Sequence, residues 1–279
     1  MTMNIAFSPC PNDTFVFHAL VHGLIPGAPE FDVTYADIDV TNNWAAKGAG
    51  PEILKISYAA LPWVLDDYAL LPCGGALGRG CGPLVLTKGE AGNPAALAGK
   101  RIAVPSDRST AYLLFRLWAA QLVPDGNMEI VVMPFHEIMP AVRDGSIDAG
   151  LVIHEARFTY QNYGLNMMAD LGSWWESDTG LPIPLGAIIA RRSLDAASLT
   201  SWIRASVEYA WEHPEASADY VMQHAQEMSP DVAKQHIALY VNEYSANLGE
   251  SGYAAVEALL GRAAQEGLVP AFDLAKLRL

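Results

Sequence analysis

The sequence predicts an α/β protein of two lobes that are joined by two crossing strands, with a central cleft between the lobes. Short apolar runs alternate with segments of helical periodicity through the first two thirds of the 279 residues, as in mostly parallel sheets flanked by helices. A polar segment with glycine and proline, residues 88–99, separates two such blocks. An extended apolar run over 181–191 precedes a mainly helical end, so the chain is expected to return to its first block. The predicted large domain contains residues 1–88 and 190–279, and the small domain contains residues 89–189.

The first block consists of three units of strand, polar turn and helix. The predicted strands are residues 3–7, 31–35 and 53–56. A residue with a short polar side chain follows each strand and is predicted to cap the next helix. These capping candidates are Asn12 or Asp13, Thr41 and Ser57. Five glycines within residues 74–82 then predict a loop, and residues 83–87 predict a further strand.

The second block repeats the same alternation. Its predicted strands are residues 101–105, 129–133 and 149–154. Apolar side chains at helical spacing predict a first helix after the turn at Ser109 and Thr110, and a second helix over 136–144 ends at Gly145. In the helical end of the chain, Pro214 and Pro230 are predicted at the first position of successive helices.

Composition excludes several classes of protein. Hydrophobic residues make up 51% and charged residues 17% of the chain, so it can build an ordinary core and is not intrinsically disordered. Seventeen Lys and Arg against 31 Asp and Glu give a net charge of −14, which argues against nucleic acid and anionic membranes as partners. The first residues lack the features of a secretory signal, so a cytoplasmic location is expected. The sequence leaves the oligomeric state open.

The starts of helices that would face the cleft are candidate sites for an anionic ligand. Unpaired backbone N–H groups and the positive end of the helix dipole favour a carboxylate or a phosphate there. Ser57 and the pair Ser109 and Thr110 are the strongest such positions, and Asn43 is a weaker one. Lys55 or Arg79 would neutralise the carboxylate, although the sequence does not distinguish between them. The alternative for each hydroxyl residue is a helix cap with no further role.

One histidine is placed for proton transfer. His154 falls where the apolar strand over 149–153 ends, and the imidazole of histidine ordinarily titrates near neutral pH. A purely structural histidine is the alternative. His18 and His22 have the i, i+4 spacing that can bind zinc, but no third ligand is recognisable and residue 19 is Ala, so no metal is expected. The three cysteines form no C-x-x-C motif, which indicates neither a disulfide framework nor a zinc site.

Six unusual motifs, spread over nearly the whole chain, resemble those of 1,4-dihydroxy-6-naphthoate synthases, the lyases of the futalosine route to menaquinone. The motifs are SPCPNDTFVFHAL (8–20), LKISYAALP (54–62), CGGALGRG (73–80), STAYLL (109–114), GLVIHEARFTY (150–160) and TGLPIPLGAI (179–188). The resemblance implies a fold like that of the type 2 periplasmic solute-binding proteins. It also implies that the small molecule acted on is an aromatic carboxylate, cyclic dehypoxanthine futalosine, which is converted to 1,4-dihydroxy-6-naphthoate without a cofactor.

The resemblance also assigns roles to residues. The proton acceptor of the family falls on His154, and its substrate-contacting segments fall on Lys55, Ile56 and Ser57 and on Ser109 and Thr110. Cys73, before the glycine-rich motif, departs from the family pattern in a way that we interpret as a neutral packing change. Two other functions remain as alternatives. One is chorismate dehydratase, a lyase of the same route, and the other is a solute-binding protein without catalytic activity.

Overall fold

The structure, a computed structural model, describes residues 2–89, 92–123, 126–225 and 229–279. The strands are β1 (Thr2–Phe7), β2 (Glu30–Tyr35), β3 (Ile53–Ser57), β4 (Tyr68–Gly78), β5 (Leu84–Lys88), β6 (Arg101–Val104), β7 (Glu129–Val132), β8 (Ala149–Val152), β9 (Leu165–Asp170) and β10 (Ile183–Arg191). The α-helices are α1 (Pro11–Val21), α2 (Ile38–Ala46), α3 (Thr110–Leu122), α4 (Phe135–Asp144), α5 (Ala156–Thr159), α6 (Leu171–Thr179), α7 (Ala196–Glu212), α8 (Ala218–His224), α9 (Pro230–Tyr240), α10 (Glu243–Ala246) and α11 (Gly249–Gln265). Short 3-10 helices cover Tyr58–Trp63, Pro94–Leu97, Tyr160–Tyr163, Pro214–Ser217 and Leu274–Leu277.

The chain divides into two compact units, and the predicted α/β class is confirmed in each. The first unit contains Met1–Gly78 and Pro184–Leu279, and the second contains Arg79–Ile183. The chain therefore passes between them twice, at the end of β4 and at the start of β10. These limits differ from the predicted boundaries, because β5 pairs with β8 and β9 in the sheet of the second unit. Residues 79–88 therefore belong to the second unit, although the sequence placed them in the large domain.

The first unit is built on a five-stranded sheet in the order β2-β1-β3-β10-β4. Strands β1, β2 and β3 are parallel, so the polar turns that follow β1 and β3 lie at one edge of the sheet. Helices α1 and α7 cover this sheet with a buried apolar core. Phe17 of α1 stacks on Phe7 at a ring distance of 4.7 Å. The packing fixes the N-terminal turn of α1 next to the end of β1.

The second unit is built on a five-stranded sheet in the order β7-β6-β8-β5-β9. Strands β6, β7 and β8 are parallel, whereas β5 runs antiparallel to its neighbours β8 and β9. Helix α4 packs against β8 through Ile138 and Val142. A side chain at Gly150 would bring its Cβ within 2.6 Å of Ile138 Cγ2, so glycine is needed for this close approach. The close packing fixes β8 and, with it, the residues that follow the strand.

Several predicted helix starts and the glycine-rich loop are corrected by the structure. Helix α1 begins at Pro11, so Asn12 and Asp13 lie inside its first turn and neither caps it. Thr41 likewise lies inside α2 and is not its cap. Strand β4 extends to Gly78, so the loop that the glycines predicted begins only at residue 79. The sequence also gave no indication of β9 and α6. By contrast, the end of α4 at Gly145 and the placement of Pro214 and Pro230 at helix starts are confirmed.

None of the helices in the described part of the chain is long and apolar enough to cross a membrane.

Candidate functional site

A buried ion pair lies at the edge of the first sheet where β1 and β3 end. The ammonium group of Lys55 bonds to Asp13 Oδ1, and the two side chains are only 5% and 3% exposed. Two further bonds hold the carboxylate: Ser8 Oγ donates to Asp13 Oδ2 at 2.7 Å, and Asn12 Nδ2 donates to Asp13 Oδ1 at 2.8 Å. The positive charge predicted to neutralise a ligand is therefore already balanced by Asp13, which sequence reasoning did not select as a site residue.

Ser57 is fixed by an asparagine, although not the one predicted. Asn42 Nδ2 donates to Ser57 Oγ at 3.0 Å, and the Ser57 backbone N–H donates to Asn42 Oδ1 at 2.8 Å. Ser57 occupies the predicted N-cap position of the short 3-10 helix that follows, although its side chain makes no capping bond there. Asn43 is the next residue of α2 and is only partly buried.

Alternation along β3 separates the three predicted contact residues. Lys55 and Ser57 lie on one face of the strand, and Ile56 lies on the opposite face, where its side chain is fully buried. Ile56 can therefore reach a ligand that contacts Lys55 and Ser57 only through its backbone. The structure thus brings together Lys55 and Ser57, and it adds Asp13 and Asn42 to them.

In the second unit, the predicted helix start at Ser109 is confirmed. Ser109 Oγ accepts a hydrogen bond from the Tyr112 backbone N–H at 3.1 Å and donates to the Ser106 carbonyl at 3.1 Å. Thr110, the first residue of α3, is also buried. Helix α3 follows β6, and His154 follows β8, which is the parallel neighbour of β6. The same edge of this sheet therefore carries Ser109, Thr110 and His154. Open α/β sheets bind ligands at this edge, where the parallel strands end.

His154 has an unusual backbone conformation. Its φ of +53° makes it the one non-glycine residue with positive φ in the described ranges. This left-handed conformation is disfavoured for residues with a Cβ atom, and at functional sites the surrounding structure commonly holds such strain. The partly buried imidazole meets Phe135 edge-on, with 5.8 Å between ring centres. The turn between β8 and α5 therefore presents the His154 side chain in a defined direction.

Arg157, three residues beyond His154, anchors this turn. Its backbone N–H donates to the His154 carbonyl at 3.3 Å. Its guanidinium group donates to the Gly82 carbonyl at 2.8 Å and to Asp170 Oδ2 at 2.6 Å. The other oxygen of Asp170 caps α6 by accepting from the backbone N–H groups of Gly172 and Ser173. Arg157 was not selected from the sequence, although a charged residue immediately after a buried strand and turn is a signal for such an anchor.

Arg79 does not have the surroundings of an anion-binding residue. Its side chain is 54% exposed, donates to the Gly180 carbonyl at 2.9 Å and lies 3.9 Å from Glu176. A nearby carboxylate disfavours a second anion at this position. Of the two predicted cations, Lys55 is the one that lies next to other candidate site residues.

Three histidines and two tyrosines form a separate aromatic cluster in the first unit. Its members are His18, His22, His224, Tyr35 and Tyr220. The rings of His18 and His22 are tilted by 36° with 4.5 Å between their centres, and His22 Nδ1 bonds to the His18 carbonyl at 2.8 Å. Burial, and then the proximity of His22, lower the pKa of both His18 and His224. No group of three or more potential metal ligands is found among the residues that the structure describes.

This cluster predicts that the protein loses stability in mild acid. The unfolded chain binds protons on His18 and His224 below about pH 6.5, whereas the folded chain resists protonation because both pKa values are lowered. The free energy of unfolding is therefore expected to fall as the pH drops from about 8 to about 5.5. Urea denaturation of the wild type and of a His18→Phe, His224→Phe variant would measure this, and the variant should lose less stability over that range. An equal pH dependence in the wild type and the variant would contradict the prediction.

Comparison with known proteins identifies the family. A family model described as "Menaquinone biosynthesis" matches residues 3–265. The chain therefore belongs to this family of menaquinone biosynthesis proteins. The chain is 71% identical to the Streptomyces coelicolor 1,4-dihydroxy-6-naphthoate synthase, over 97% of this chain and 95% of that protein. It is 46% identical to the Thermus thermophilus protein of the same name, over 95% of each chain. The resemblance inferred from the sequence motifs, and the prediction of an enzyme, are therefore confirmed.

Solved structures show the fold of this menaquinone biosynthesis family member. A crystal structure of an Archaeoglobus fulgidus protein is 36% identical, with a TM-score of 0.88 over 96% of this chain and 98% of that chain. A Candida albicans protein described as having the generic periplasmic binding protein fold matches with a TM-score of 0.70 and 16% identity, over 99% of this chain and 94% of that chain. The predicted periplasmic-binding-protein-like fold is confirmed.

Proposed function

We propose that this protein is a carbon–carbon lyase that converts cyclic dehypoxanthine futalosine to 1,4-dihydroxy-6-naphthoate, with His154 as the general base. The names of the Streptomyces and Thermus relatives support the product. The observation that carries the assignment of the base is the turn at His154, which holds a histidine in a left-handed conformation at the carboxyl end of β8. Strained residues of this kind cluster at active sites and ligand clamps, and an imidazole at such a position can supply the base that the lyase reaction needs.

The proposed chemistry is a proton transfer followed by a retro-aldol cleavage. The neutral imidazole of His154 takes the proton of a hydroxyl group on the ribose-derived part of the substrate. The electron pair of that oxygen forms the carbonyl of the leaving fragment as the carbon–carbon bond breaks, and the electrons of the broken bond pass into the naphthalene ring system as an enolate. The imidazolium returns its proton to the ring, so the step is balanced without an oxidant or a reductant. Formation of the new aromatic ring drives the reaction.

Polar groups at the ends of β3 and β6 are proposed to bind the substrate and to stabilise the negative charge of the enolate. The hydroxyl of Ser57, which only accepts in its bond from Asn42, and the backbone N–H groups at the start of α3, at Ser109 and Thr110, would orient the substrate and stabilise the enolate oxygen. Each preorganised donor of this kind is worth about 3–4 kcal/mol in the transition state. Because Asp13 already balances the charge of Lys55, we assign the carboxylate of the substrate mainly to neutral donors, with Lys55 as a polarising neighbour.

Mass spectrometry of the reaction mixture tests the function directly. Purified protein is incubated with cyclic dehypoxanthine futalosine in the presence of a chelator, and 1,4-dihydroxy-6-naphthoate is quantified over time. We expect product from the wild type and a large loss in His154→Ala. Binding of the substrate without turnover by the wild type would instead indicate a solute-binding protein, and dehydration of chorismate would indicate the other lyase of the route.

Loss of the anchor at Arg157 is expected to slow turnover because the turn that holds His154 loses its support. Arg157→Ala removes the bonds to Gly82 and Asp170 that hold the His154 turn, and misplacement of a catalytic group by about 1 Å costs up to about a hundredfold in rate. We expect kcat to fall about 10–100-fold with little change in KM. Steady-state kinetics with and without added guanidinium ion would measure the effect, and the added ion should restore part of kcat.

A matched control separates positioning from general loss of an ion pair. Arg143 bonds to Asp144 at 2.8 Å in the same unit, but both side chains are exposed and lie outside the His154 turn. Arg143→Ala should therefore keep the wild-type kcat and show no response to guanidinium. A folded Arg157→Ala variant with wild-type kcat would show that the anchor has no part in the reaction.

A further inference from the structure

The amide group of Asn12 contains a buried acceptor that no residue in the described part of the chain uses. Asn12 lies in the first turn of α1 and is 6% exposed. Its Nδ2 donates to Asp13 Oδ1 at 2.8 Å. Its Oδ1 is buried and has no hydrogen-bond partner among the residues that the structure describes. A buried polar atom without a partner costs stability, so such an atom in a native protein calls for a functional explanation.

The neighbouring ion pair fixes which atom of the amide is left over. Asp13 Oδ1 receives both the ammonium group of Lys55 and the amide nitrogen of Asn12. Rotation of the amide by 180° would place Asn12 Oδ1 against this carboxylate, and two acceptors repel each other. Asp13 therefore forces Asn12 to direct an oxygen, not an NH₂ group, away from the ion pair.

The free oxygen belongs to the same edge of the sheet as the proposed substrate contacts. Asn12 follows β1, while Lys55 and Ser57 end β3, the parallel neighbour of β1. Lys55 is joined to Asn12 through Asp13, and Ser57 lies on the same face of β3 as Lys55. Ser57 Oγ accepts from Asn42, so its own hydroxyl hydrogen is not used in that bond. This edge therefore combines an acceptor on Asn12 with a donor on Ser57.

We propose that Asn12 Oδ1 accepts a hydrogen bond from a hydroxyl group of the bound ligand. An ionised carboxylate or phosphate has only acceptors and cannot satisfy this atom, so the group recognised by Asn12 is a hydroxyl on the ring of the ligand. The inference rests on the proposed function, since cyclic dehypoxanthine futalosine and 1,4-dihydroxy-6-naphthoate both have ring hydroxyls. Asn12 then selects for ligands with a ring hydroxyl, and Ser57 supplies a hydrogen-bond donor beside it. Asp13 sets the orientation of the Asn12 amide.

Asn12→Ala tests the proposal by separating binding from stability. We expect kcat/KM for cyclic dehypoxanthine futalosine to fall about three- to tenfold, as for the loss of one hydrogen bond. The melting temperature should fall less than in Asn42→Ala, because Asn12→Ala removes one hydrogen bond, that to Asp13, and together with it an unpaired buried acceptor. Asn42→Ala is the matched comparison for stability. Both polar atoms of the Asn42 amide are bonded within the protein, so its loss should lower the melting temperature.

A pair of ligands tests the hydroxyl directly. Calorimetric dissociation constants are measured for 1,4-dihydroxy-6-naphthoate and for 2-naphthoate, which lacks both hydroxyls. The preference of the wild type for the dihydroxy compound should shrink about three- to tenfold in Asn12→Ala. An unchanged preference, or a melting temperature lowered as far as in Asn42→Ala, would overturn the inference and leave the proposed function intact if the wild type is active. A wild type that neither turns over the substrate nor binds the naphthoates would overturn the proposed function together with this inference.

Discussion

His154→Ala is expected to lower kcat at least about a hundredfold, because general acid–base catalysis by one side chain typically contributes about 10²–10⁴ in rate. In the proposed mechanism the imidazole both removes the first proton and returns it to the new ring. Its loss therefore affects two proton transfers of the same turnover. Single-turnover measurements with excess enzyme would report the chemical step without a contribution from product release.

The unusual backbone of His154 requires a second variant. Asparagine adopts the left-handed conformation more readily than other residues with a Cβ atom, so His154→Asn preserves the turn and removes the base. We expect His154→Asn to be as inactive as His154→Ala, and His136→Ala to be fully active because that side chain is 82% exposed. An active His154→Asn variant would show that the turn, and not the imidazole, is what the reaction needs.

The fold could be predicted largely from local patterns. The alternation of apolar runs with helical periods located β1, β2 and β3 within one residue at each end. The buried β3 is mainly apolar, and in the more exposed β2 the apolar residues Phe31 and Val33 alternate with polar ones, so each has a local signal typical of a strand. Strand β9 escaped prediction because the residues of Leu165–Asp170 after Leu165 are exposed or only partly buried and show no simple alternation. The predicted limits of the two units differ from the observed ones because β5 pairs with β8 and β9, which are distant in sequence. Local sequence patterns do not indicate such long-range pairing.

Individual residues of the candidate site could be predicted from the sequence, but their hydrogen-bond and ion-pair partners could not. Motif resemblance and position after a strand selected His154, Ser57 and Ser109. The partners of these residues depend on tertiary packing: Asn42 lies 15 residues from Ser57 in sequence, and Asp13 lies 42 residues from Lys55. One signal was available, since a lysine inside the apolar run Ile53–Ile56 needs a buried counterion. That signal predicts a carboxylate nearby but does not indicate which one.

The second large effect is expected at this buried pair. Asp13→Ala leaves the ammonium group of Lys55 buried without its counterion, and removing one partner of a buried ion pair typically costs about 3–5 kcal/mol of stability. The substitution also leaves Ser8 and Asn12 without the acceptor of their hydrogen bonds. We expect the free energy of unfolding, measured by urea denaturation, to fall by that amount in Asp13→Ala.

Two controls identify the unpaired charge as the cause of this loss. Adding Lys55→Met to Asp13→Ala removes the buried charge while keeping an unbranched side chain, so the double variant should regain much of the lost stability. The ion pair between Lys276 and Asp66 lies at the surface of the same unit, and Asp66→Ala should leave the denaturation midpoint unchanged because water and salt screen exposed charges. If the double variant were less stable than Asp13→Ala, the loss would come from the hydrogen bonds of the carboxylate and not from the charge of Lys55. Lys55 would then contribute to stability without its ion pair, and the assignment of Asp13 as the group that balances its charge would be wrong.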